Sequence, residues 1–324
     1  MTGRYEIVLY NNKICYRLDV KRNITVLRGD SASGKSELIR LLGAYNSNPS
    51  SSGITLICEK KCTVLNEENW QLFTETYSDR IFFIDEGNGF LRTTEFADTV
   101  KRSDNYYIII SREGMPNLPY NIEEIYGLRE GSDSGKYRLP KRIYNEMYRL
   151  YGNVPESTSD LNVVVTEDSN SGNEFFSLLF PDKCISSAGK SNIAKILSQH
   201  FNERVLAIVD GAAFGPEMQK CMELSDASGG AISVYAPESF EYLILQSGIL
   251  EVPKSVLEET WNYADSAKYF SWEEFFTHYL SDTTRNTVSQ YSKKKLNDFY
   301  KTAGNVKSVY DVLPESLKAI VDAF

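Results

Sequence analysis

Short runs of apolar residues followed by polar or acidic residues recur along the chain. They lie at residues 24–27, 81–84, 106–110, 163–165 and 205–209. Because nearly every position in these runs is apolar, both faces of the predicted strands should be covered, which is typical of parallel sheets in α/β proteins. Residues 4–10 and 14–20 are rich in β-formers and flank a short polar turn, so they predict a hairpin. The pattern as a whole predicts an α/β fold.

A polar segment rich in Gly, Pro and Ser, YGNVPESTSD at residues 151–160, divides the chain. The length of 324 residues suits two domains. We predict a first domain over residues 1–152 and a second over residues 160–250. Residues 251–324 have a helical pattern and are predicted to form a C-terminal extension.

The most specific motif is ITVLRGDSASGKS at residues 24–36, in which a predicted strand leads through G-x-x-x-x-G-K-[ST] into a predicted helix. Glycines allow backbone N–H groups to point inward around a phosphate chain, and the helix N-terminus adds positive potential. Lys35 would reach the β- and γ-phosphates of ATP, and the Ser36 hydroxyl would bind Mg²⁺. The predicted ATP-binding residues are Gly29, Ser31, Ser33, Gly34, Lys35 and Ser36. The alternative, a Ser/Gly turn at a strand end, leaves Lys35 unexplained.

A second nucleotide-site motif follows the strand RIFFI at residues 80–84, which ends in Asp85 and Glu86. Acids in this place emerge at the carboxyl end of a buried strand, where ligands bind in open α/β sheets. This is a Walker B pattern, in which Asp85 would hold Mg²⁺ and Glu86 would orient or deprotonate the attacking water. The alternative is a strand that ends in an ordinary charged turn. Together with Lys35, the two acids predict an ATPase site.

The strand at residues 106–110 ends in Ser111 and Arg112, which allow two interpretations. A polar side chain at this point can sense the γ-phosphate, as sensor residues do in related ATPases. Arg112 can equally be a surface or interface residue. The chain has no LSGGQ-like signature, which argues against a transporter-type ATPase.

A second set of acids follows the polar segment. Its parts, in order, are a strand ending in Glu167, a helix beginning with Glu174, a small-residue turn at 187–189 and a strand ending in Asp210. Over about residues 161–250 this layout resembles the TOPRIM domain. The resemblance is closest to the modules of bacterial anti-phage defence nucleases of the overcoming-lysogenisation-defect family and of ATPase-coupled TOPRIM effectors. It implies a Rossmann-like parallel sheet, a Mg²⁺-dependent nuclease and DNA or RNA as a partner.

The resemblance also assigns roles to single residues. Glu167 would act as general acid/base or metal ligand, and Asp210 would bind Mg²⁺. Glu174 stands where the family more often has Asp. The family's D-x-D motif falls on residues 210–212, so Ala212 replaces the second aspartate. Because two carboxylates there normally hold the metal, this replacement weakens the predicted site.

Three explanations of Ala212 stay open at the level of sequence: another acid completes the site, one metal ion suffices, or the domain is a degenerate scaffold. The candidate replacement acids are Asp168, Glu217, Glu238 and Glu241. The last two are three residues apart and would share a helix face, although Glu in a first helical turn also simply complements the helix dipole. Residues 186–191 contain Gly-Lys-Ser, but a second phosphate loop would need glycine where Cys184 stands.

Charge and composition narrow the choice of partners. The net charge of −9 argues against a general electrostatic attraction to nucleic acid, though not against a local basic channel. The basic run at residues 293–295 is better explained as a solvated helix face than as a phosphate contact. Cys58-x3-Cys62 lacks the second pair or histidine of a zinc site, so we expect free thiols. An N-terminal strand pattern and the lack of a long apolar run predict a cytoplasmic protein without a membrane segment.

Together these patterns predict an ATP-binding and ATP-hydrolysing protein, in which a small P-loop NTPase sheet precedes a TOPRIM-like parallel sheet and a helical extension. The resemblance implies phage defence or nucleic-acid processing, with ATP binding gating the second module. We also expect a homo-oligomer or a partner protein. The alternatives are a nucleotide-regulated scaffold with a lapsed TOPRIM site, and a plain ATPase whose second half is only structural.

Overall fold

A computed structural model describes residues 1–29, 34–131, 142–152 and 161–323. The chain divides into two compact units: residues 1–151 with 261–270, and residues 152–260 with 271–324. This division differs from the sequence-based one near the C-terminus. It assigns residues 271–324 to the second unit and residues 261–270 to the first.

Nine strands in the described part of the first unit form one sheet. They are β1 (Tyr5–Tyr10), β2 (Ile14–Val20), β3 (Ile24–Leu27), β4 (Thr55–Ile57), β5 (Lys61–Leu65), β6 (Arg80–Ile84), β7 (Tyr106–Ile110), β8 (Ile125–Glu130) and β9 (Arg142–Arg149), in the spatial order β4-β1-β2-β9-β8-β3-β7-β6-β5. The helices of this unit are α1 (Lys35–Ser47), α2 (Trp70–Thr76) and α3 (Thr94–Arg102). The sheet is larger than the small one that the sequence predicted, because the N-terminal hairpin, β4, β8 and β9 join the parallel strands.

Pairing in this sheet confirms the predicted hairpin and the predicted parallel strands. β1 and β2 are antiparallel, with Tyr10 opposite Cys15 at the turn. β3 runs parallel to β7, and β7 runs parallel to β6. These three strands are buried on both faces, since successive residues such as Phe82 and Phe83 pack into two different core clusters. The unbroken apolar runs therefore do mark central strands.

The sheet curls around helix α1. Leu38, Leu41 and Leu42 of this helix share one core cluster with Ile7 of β1 and Ile81 of β6, which lie near opposite ends of the strand order. The spacing of the three leucines places them on one helix face. The outermost strands, β4 and β5, are joined by only three residues, so the two edges approach each other.

The second unit contains a four-stranded parallel sheet. Its strands are β10 (Val163–Thr166), β11 (Cys184–Ser186), β12 (Val205–Ile208) and β13 (Ile232–Tyr235), in the order β11-β10-β12-β13. The helices that the structure describes here are α4 (Ser171–Leu179), α5 (Ile193–Gln199), α6 (Gly215–Ala227), α7 (Phe240–Gln246), α8 (Lys254–Glu258), α9 (Trp272–Thr283), α10 (Ala303–Asp311) and α11 (Glu315–Val321). The strand order reverses between β10 and β12, and such a switch point opens a crevice at the carboxyl ends of the strands.

The C-terminal segment is less helical than its sequence pattern predicts. Short 3₁₀ turns occur along the chain at Gly89–Arg92, Ile122–Glu124, Lys190–Asn192, Thr260–Asn262 and Asp298–Lys301. Residues 284–297 form turns, so the basic run at 293–295 does not lie on a helix, and that prediction was wrong. In the described residues, no helix has the length and apolar character needed to cross a bilayer.

Candidate nucleotide and acidic sites

The glycine-rich loop after β3 holds Lys35 against its own first glycine. Lys35 begins α1 and is 7% exposed, and its Nζ donates a hydrogen bond to the Gly29 carbonyl oxygen at 2.9 Å. Gly29 and Gly34 have φ angles of 130° and 79°, which favour glycine. The predicted loop residues Ser31 and Ser33 lie outside the described residues, whereas Ser36 is described and exposed. The ammonium group therefore lies beside the carbonyl oxygen of the first glycine of the motif.

Two tyrosines anchor the end of this loop, and the sequence patterns did not identify them. Tyr16 of β2 donates its hydroxyl proton to the Gly34 carbonyl oxygen at 2.6 Å, and its ring stacks on Tyr144 of β9 at 5.3 Å. A Cβ atom at position 34 would lie 3.0 Å from the Tyr144 ring and 3.1 Å from the Tyr16 hydroxyl. Gly34 is thus required both by its backbone conformation and by this close approach.

The predicted Walker B acids emerge at the same sheet edge as the loop. Asp85 and Glu86 directly follow β6, and β7 separates β6 from β3. Because adjacent strands lie about 4.8 Å apart, the ends of β3 and β6 are about 10 Å apart. Asp85 is half-buried and its Oδ1 accepts the Glu86 N–H at 2.9 Å. Lys35 and the two acids therefore face one edge, as expected of a phosphate site.

Arg112, at the end of the intervening strand β7, forms an ion pair with Glu86 at 3.1 Å between Nε and Oε2. Ser111, its neighbour, is buried and donates its hydroxyl proton to the Glu113 carbonyl oxygen at 2.8 Å. An open cleft of about 270 Å³ is lined by Glu86, Asn88, Ser111 and Arg112 among others. Arg112 thus pairs with a predicted site residue while its side chain stays 59% exposed, so this contact is compatible with both interpretations of Arg112.

In the second unit, Glu167 and Asp210 meet at the switch point of the sheet. Glu167 follows β10 and Asp210 lies two residues after β12, its neighbour in the sheet. The backbone N–H of Asp210 donates to Glu167 Oε2 at 3.2 Å, and the N–H of Phe240 donates to Asp210 Oδ1 at 3.1 Å. The two acids predicted from separate strands are therefore adjacent in space.

These two acids line a cavity of about 30 Å³, together with Asp168, Glu241 and Lys293. That volume is enough for one water molecule or ion. Glu241 is the second residue of α7 and is 1% exposed. Its Oε1 accepts the hydroxyl proton of Tyr291 at 2.8 Å, while its Oε2 is buried without a hydrogen-bond partner. A buried, unpaired carboxylate oxygen is costly and indicates a group that is completed by a ligand.

Lys293 is the residue that sequence reasoning missed. It comes from the turn after α9 rather than from a solvated helix, and its Nζ forms an ion pair with Glu273 and lies 3.8 Å from Asp210 Oδ2. Burial lowers the pKa of Lys293, but the carboxylates of Asp210, Glu273 and Glu241 outweigh it and raise the pKa above its ordinary range. A permanently charged ammonium group therefore stands at the edge of the acidic cavity.

The other acids considered from the sequence have different surroundings. Glu174 pairs with Lys301 at 2.7 Å, and Glu217 lies 3.5 Å from Lys220. Ala212 is 2% exposed, so a longer side chain there would have to fit into packed protein. None of these three residues is among those that line the described cavity.

The small-residue turn supports the backbone of Glu167. The Ser187 hydroxyl and the Gly189 N–H both donate to the Glu167 carbonyl oxygen at 2.7 Å. Ala188 and Gly189 have φ angles of 58° and 126°, an unusual backbone conformation for alanine. The turn therefore positions the first acid, and no separate phosphate loop is needed to explain it.

Mg²⁺ needs hard oxygen ligands and accepts one or two carboxylates with water in its remaining positions. Glu167 and Asp210 supply two carboxylates beside an ion-sized cavity, and the unpaired oxygen of Glu241 is a third donor. No three His, Cys, Asp or Glu side chains of the described ranges form a ready-made metal cluster. The residues fit an ion held by two carboxylates and water better than a preassembled three-carboxylate centre.

We expect the pKa of Glu167 to make the second unit less stable as pH rises. Burial, and then the charge of Glu273, raise this pKa from 4.5 to about 7, and burial also raises the pKa of Asp210. The folded state keeps the Glu167 proton between those pH values while the unfolded state loses it. The stabilisation of the folded state by the Glu167 proton is complete below pH 4.5 and is lost as the pH rises through about 7. Its size is on the order of 3 kcal/mol.

Hydrogen exchange at the β10 and β12 amides, corrected for intrinsic rates and recorded without divalent cations, measures this effect. The Glu167→Gln variant keeps the side-chain shape but cannot ionise, so its opening free energy should fall less between pH 5 and pH 8. An equal fall in both proteins would contradict the assignment.

Comparisons of this chain with protein-family models, with curated proteins and with solved structures gave no match. The functional assignment therefore depends on the motifs and on the geometry of the two sites themselves.

Proposed function

We propose that the chain binds and hydrolyses ATP in its first unit and carries a TOPRIM-like, Mg²⁺-dependent nuclease module in its second, acting in phage defence or nucleic-acid processing. The observation that carries the first half is the common edge shared by Lys35, Asp85 and Glu86, with one strand between the lysine and the acids. The adjacency of Glu167 and Asp210 supports the second half.

In the ATP site, each residue has a role that follows from its place. Lys35, released from the Gly29 carbonyl, contacts the β- and γ-phosphates. Ser36 and Asp85 would hold Mg²⁺, which would supply positive charge to neutralise the phosphates. Glu86 accepts a proton from the attacking water, and Arg112 orients Glu86 through their ion pair.

We expect Glu86→Gln to slow ATP hydrolysis by about 100-fold while ATP still binds, because a missing general base affects the reaction and not the ground state. Steady-state phosphate release and equilibrium binding of a fluorescent ATP analogue measure the two quantities. Glu113→Gln is the matched control, since this acid lines the same cleft and pairs with Arg92 instead. Equal loss of binding and hydrolysis in Glu86→Gln would contradict the role of general base.

In the second unit, Glu167 and Asp210 would hold one Mg²⁺, which polarises a phosphodiester when it is bound. Lys293 would place a positive charge beside the phosphate, since it is the ammonium group that lines the acidic cavity. Glu241 replaces the carboxylate that Ala212 does not provide. The pKa of Glu167, about 7 without a metal ion, would fall once Mg²⁺ is bound, because the cation favours the ionised carboxylate.

A scaffold function is the second candidate, and Lys293 is the observation in its favour. Its ammonium group pairs with Glu273 and approaches Asp210, so the acids are partly neutralised without a metal ion. Incubation with plasmid, single-stranded DNA and RNA, with Mg²⁺ or Mn²⁺ and with or without ATP, separates the two. Cleavage that is lost in Glu167→Ala supports the nuclease. A wild-type protein that cleaves none of them under any of these conditions supports the scaffold.

A further inference from the structure

Two cysteines flank Lys60 at the point where the outermost strands of the nine-stranded sheet are joined. Cys58 follows β4 and is half-buried, while Cys62 lies in β5 and is 4% exposed. Both are free thiols, and each sulfur contacts the backbone of the same residue, Lys60. Neither residue lines the open cleft of the first unit or the acidic cavity of the second. The pair is therefore not explained by the proposed function.

The surroundings of the pair place the negative charge on Cys58. The Lys60 N–H donates to Cys58 Sγ at 3.4 Å, and Cys62 Sγ lies 3.6 Å from the Lys60 carbonyl oxygen. The Cys62 thiol donates its proton to that carbonyl. The neighbouring Cys62 thiol, and the weaker effects of the Lys60 N–H and ammonium group, lower the pKa of Cys58 to about 7 despite its burial. The neighbouring Cys58 thiol and burial raise the pKa of Cys62.

We propose that Cys58 and Cys62 form a thiol–disulfide exchange site whose substrate is a small disulfide such as oxidised glutathione. The half-exposed Cys58 is the attacking thiol, and the buried Cys62, whose sulfur contacts the same Lys60 backbone, is the resolving thiol. A nucleophile with access to solvent and a partner already within reach are the two geometric requirements of this reaction.

The reaction balances in two steps. The Cys58 thiolate attacks one sulfur of the small disulfide, the S–S bond breaks, and one glutathione leaves as a thiolate that takes up a proton. Cys62 then loses its proton and attacks Cys58 Sγ, which forms the Cys58–Cys62 bond and releases the second glutathione. The protein dithiol is oxidised by two electrons, and one disulfide is reduced to two thiols.

The remaining cysteines provide the contrast. Cys15 and Cys221 are buried, and Cys184 is half-buried like Cys58. Burial raises the pKa of Cys184. The side-chain amide of Asn173 donates a hydrogen bond from Nδ2 to Cys184 Sγ at 3.7 Å. Cys184 is therefore the matched control for exposure without a partner thiol.

Intact-mass and peptide-mass analysis of the full chain, after brief treatment with oxidised glutathione at pH 7, tests the proposal. We expect the wild type to lose two hydrogens at Cys58 and Cys62 and to retain no glutathione there. Cys62→Ser should retain one glutathione on Cys58, Cys58→Ser should leave the turn unmodified, and Cys184→Ser should behave as the wild type. Cys58 should react at least about tenfold faster than Cys184.

Several results would overturn the proposal. The proposal is wrong if glutathione persists on Cys58 in the wild type, or if Cys184 reacts as fast as Cys58. It is also wrong if Cys58 and Cys62 both stay reduced. Circular dichroism checks the fold of each variant, and Cys62→Ala replaces Cys62→Ser if the buried hydroxyl is not tolerated. The wild-type peptide map decides the question without any variant.

Discussion

Replacing Lys35 by methionine is expected to reduce ATP hydrolysis by about 100-fold or more, and to weaken ATP binding as well. Lys35 is the buried cation of the glycine-rich loop, and its Nζ already lies on the loop backbone at Gly29. Methionine keeps the length and the apolar stem of lysine but removes the positive charge that stabilises the β- and γ-phosphates. Phosphate release and equilibrium binding of a fluorescent ATP analogue measure the two losses.

The control for Lys35→Met is Lys61→Met, which changes an exposed lysine of β5 in the same unit. This variant should retain wild-type hydrolysis and binding. Thermal unfolding followed by circular dichroism shows whether Lys35→Met is still folded at the assay temperature, so that lost activity is not mistaken for lost structure. Wild-type turnover by Lys35→Met would exclude the loop as the ATP site.

The second large effect is expected for Asp210→Asn, which should remove metal-dependent cleavage and weaken Mg²⁺ binding, each by about 100-fold. Asp210 contacts two other segments of the site. Its N–H donates to the Glu167 carboxylate, and its Oδ1 accepts the N–H of Phe240 at the start of α7. The asparagine oxygen can still accept that N–H, so the strand end keeps its shape while the negative charge is lost.

Titration calorimetry with Mg²⁺ and Mn²⁺ and a cleavage assay on the same samples separate the possible outcomes. Asp226→Asn, which changes an exposed acid of α6 in the same unit, is the matched control and should bind and cleave as the wild type does. Metal binding that survives in Asp210→Asn would show that the ion is held elsewhere. A wild-type protein that binds no divalent cation would favour the scaffold, with Lys293 as the permanent counter-charge.

Local patterns in the sequence were sufficient to locate the strands that carry both sites. The apolar runs before Asp85 and Glu167 are buried strands, because a strand covered on both faces leaves a continuous apolar signature. The acids themselves could be identified because each directly follows its strand. The pairing of Glu167 with Asp210 also followed from sequence, through the resemblance to an ordered set of strands and helices.

The sequence predictions were wrong for the segment after α9 and for the size of the first sheet. Residues 284–297 have a helical composition but form turns, since side-chain and backbone contacts such as Tyr291 with Glu241 replace the helical pattern. The first sheet gains strands from a hairpin and from β8 and β9, which pair with strands far away in the chain. Local propensity contains no information on such distant pairing.

The sequence by itself determined the loop that holds Lys35, the acids at the ends of β6, β10 and β12, and the α/β class of both units. Only the tertiary structure decided that Lys293 and Glu241 line the acidic cavity and that Arg112 pairs with Glu86. The physical reason is the range of the interactions. A strand and the acid that follows it are neighbours in sequence, whereas an ion pair or a shared cavity depends on how distant segments pack, which no local spacing encodes.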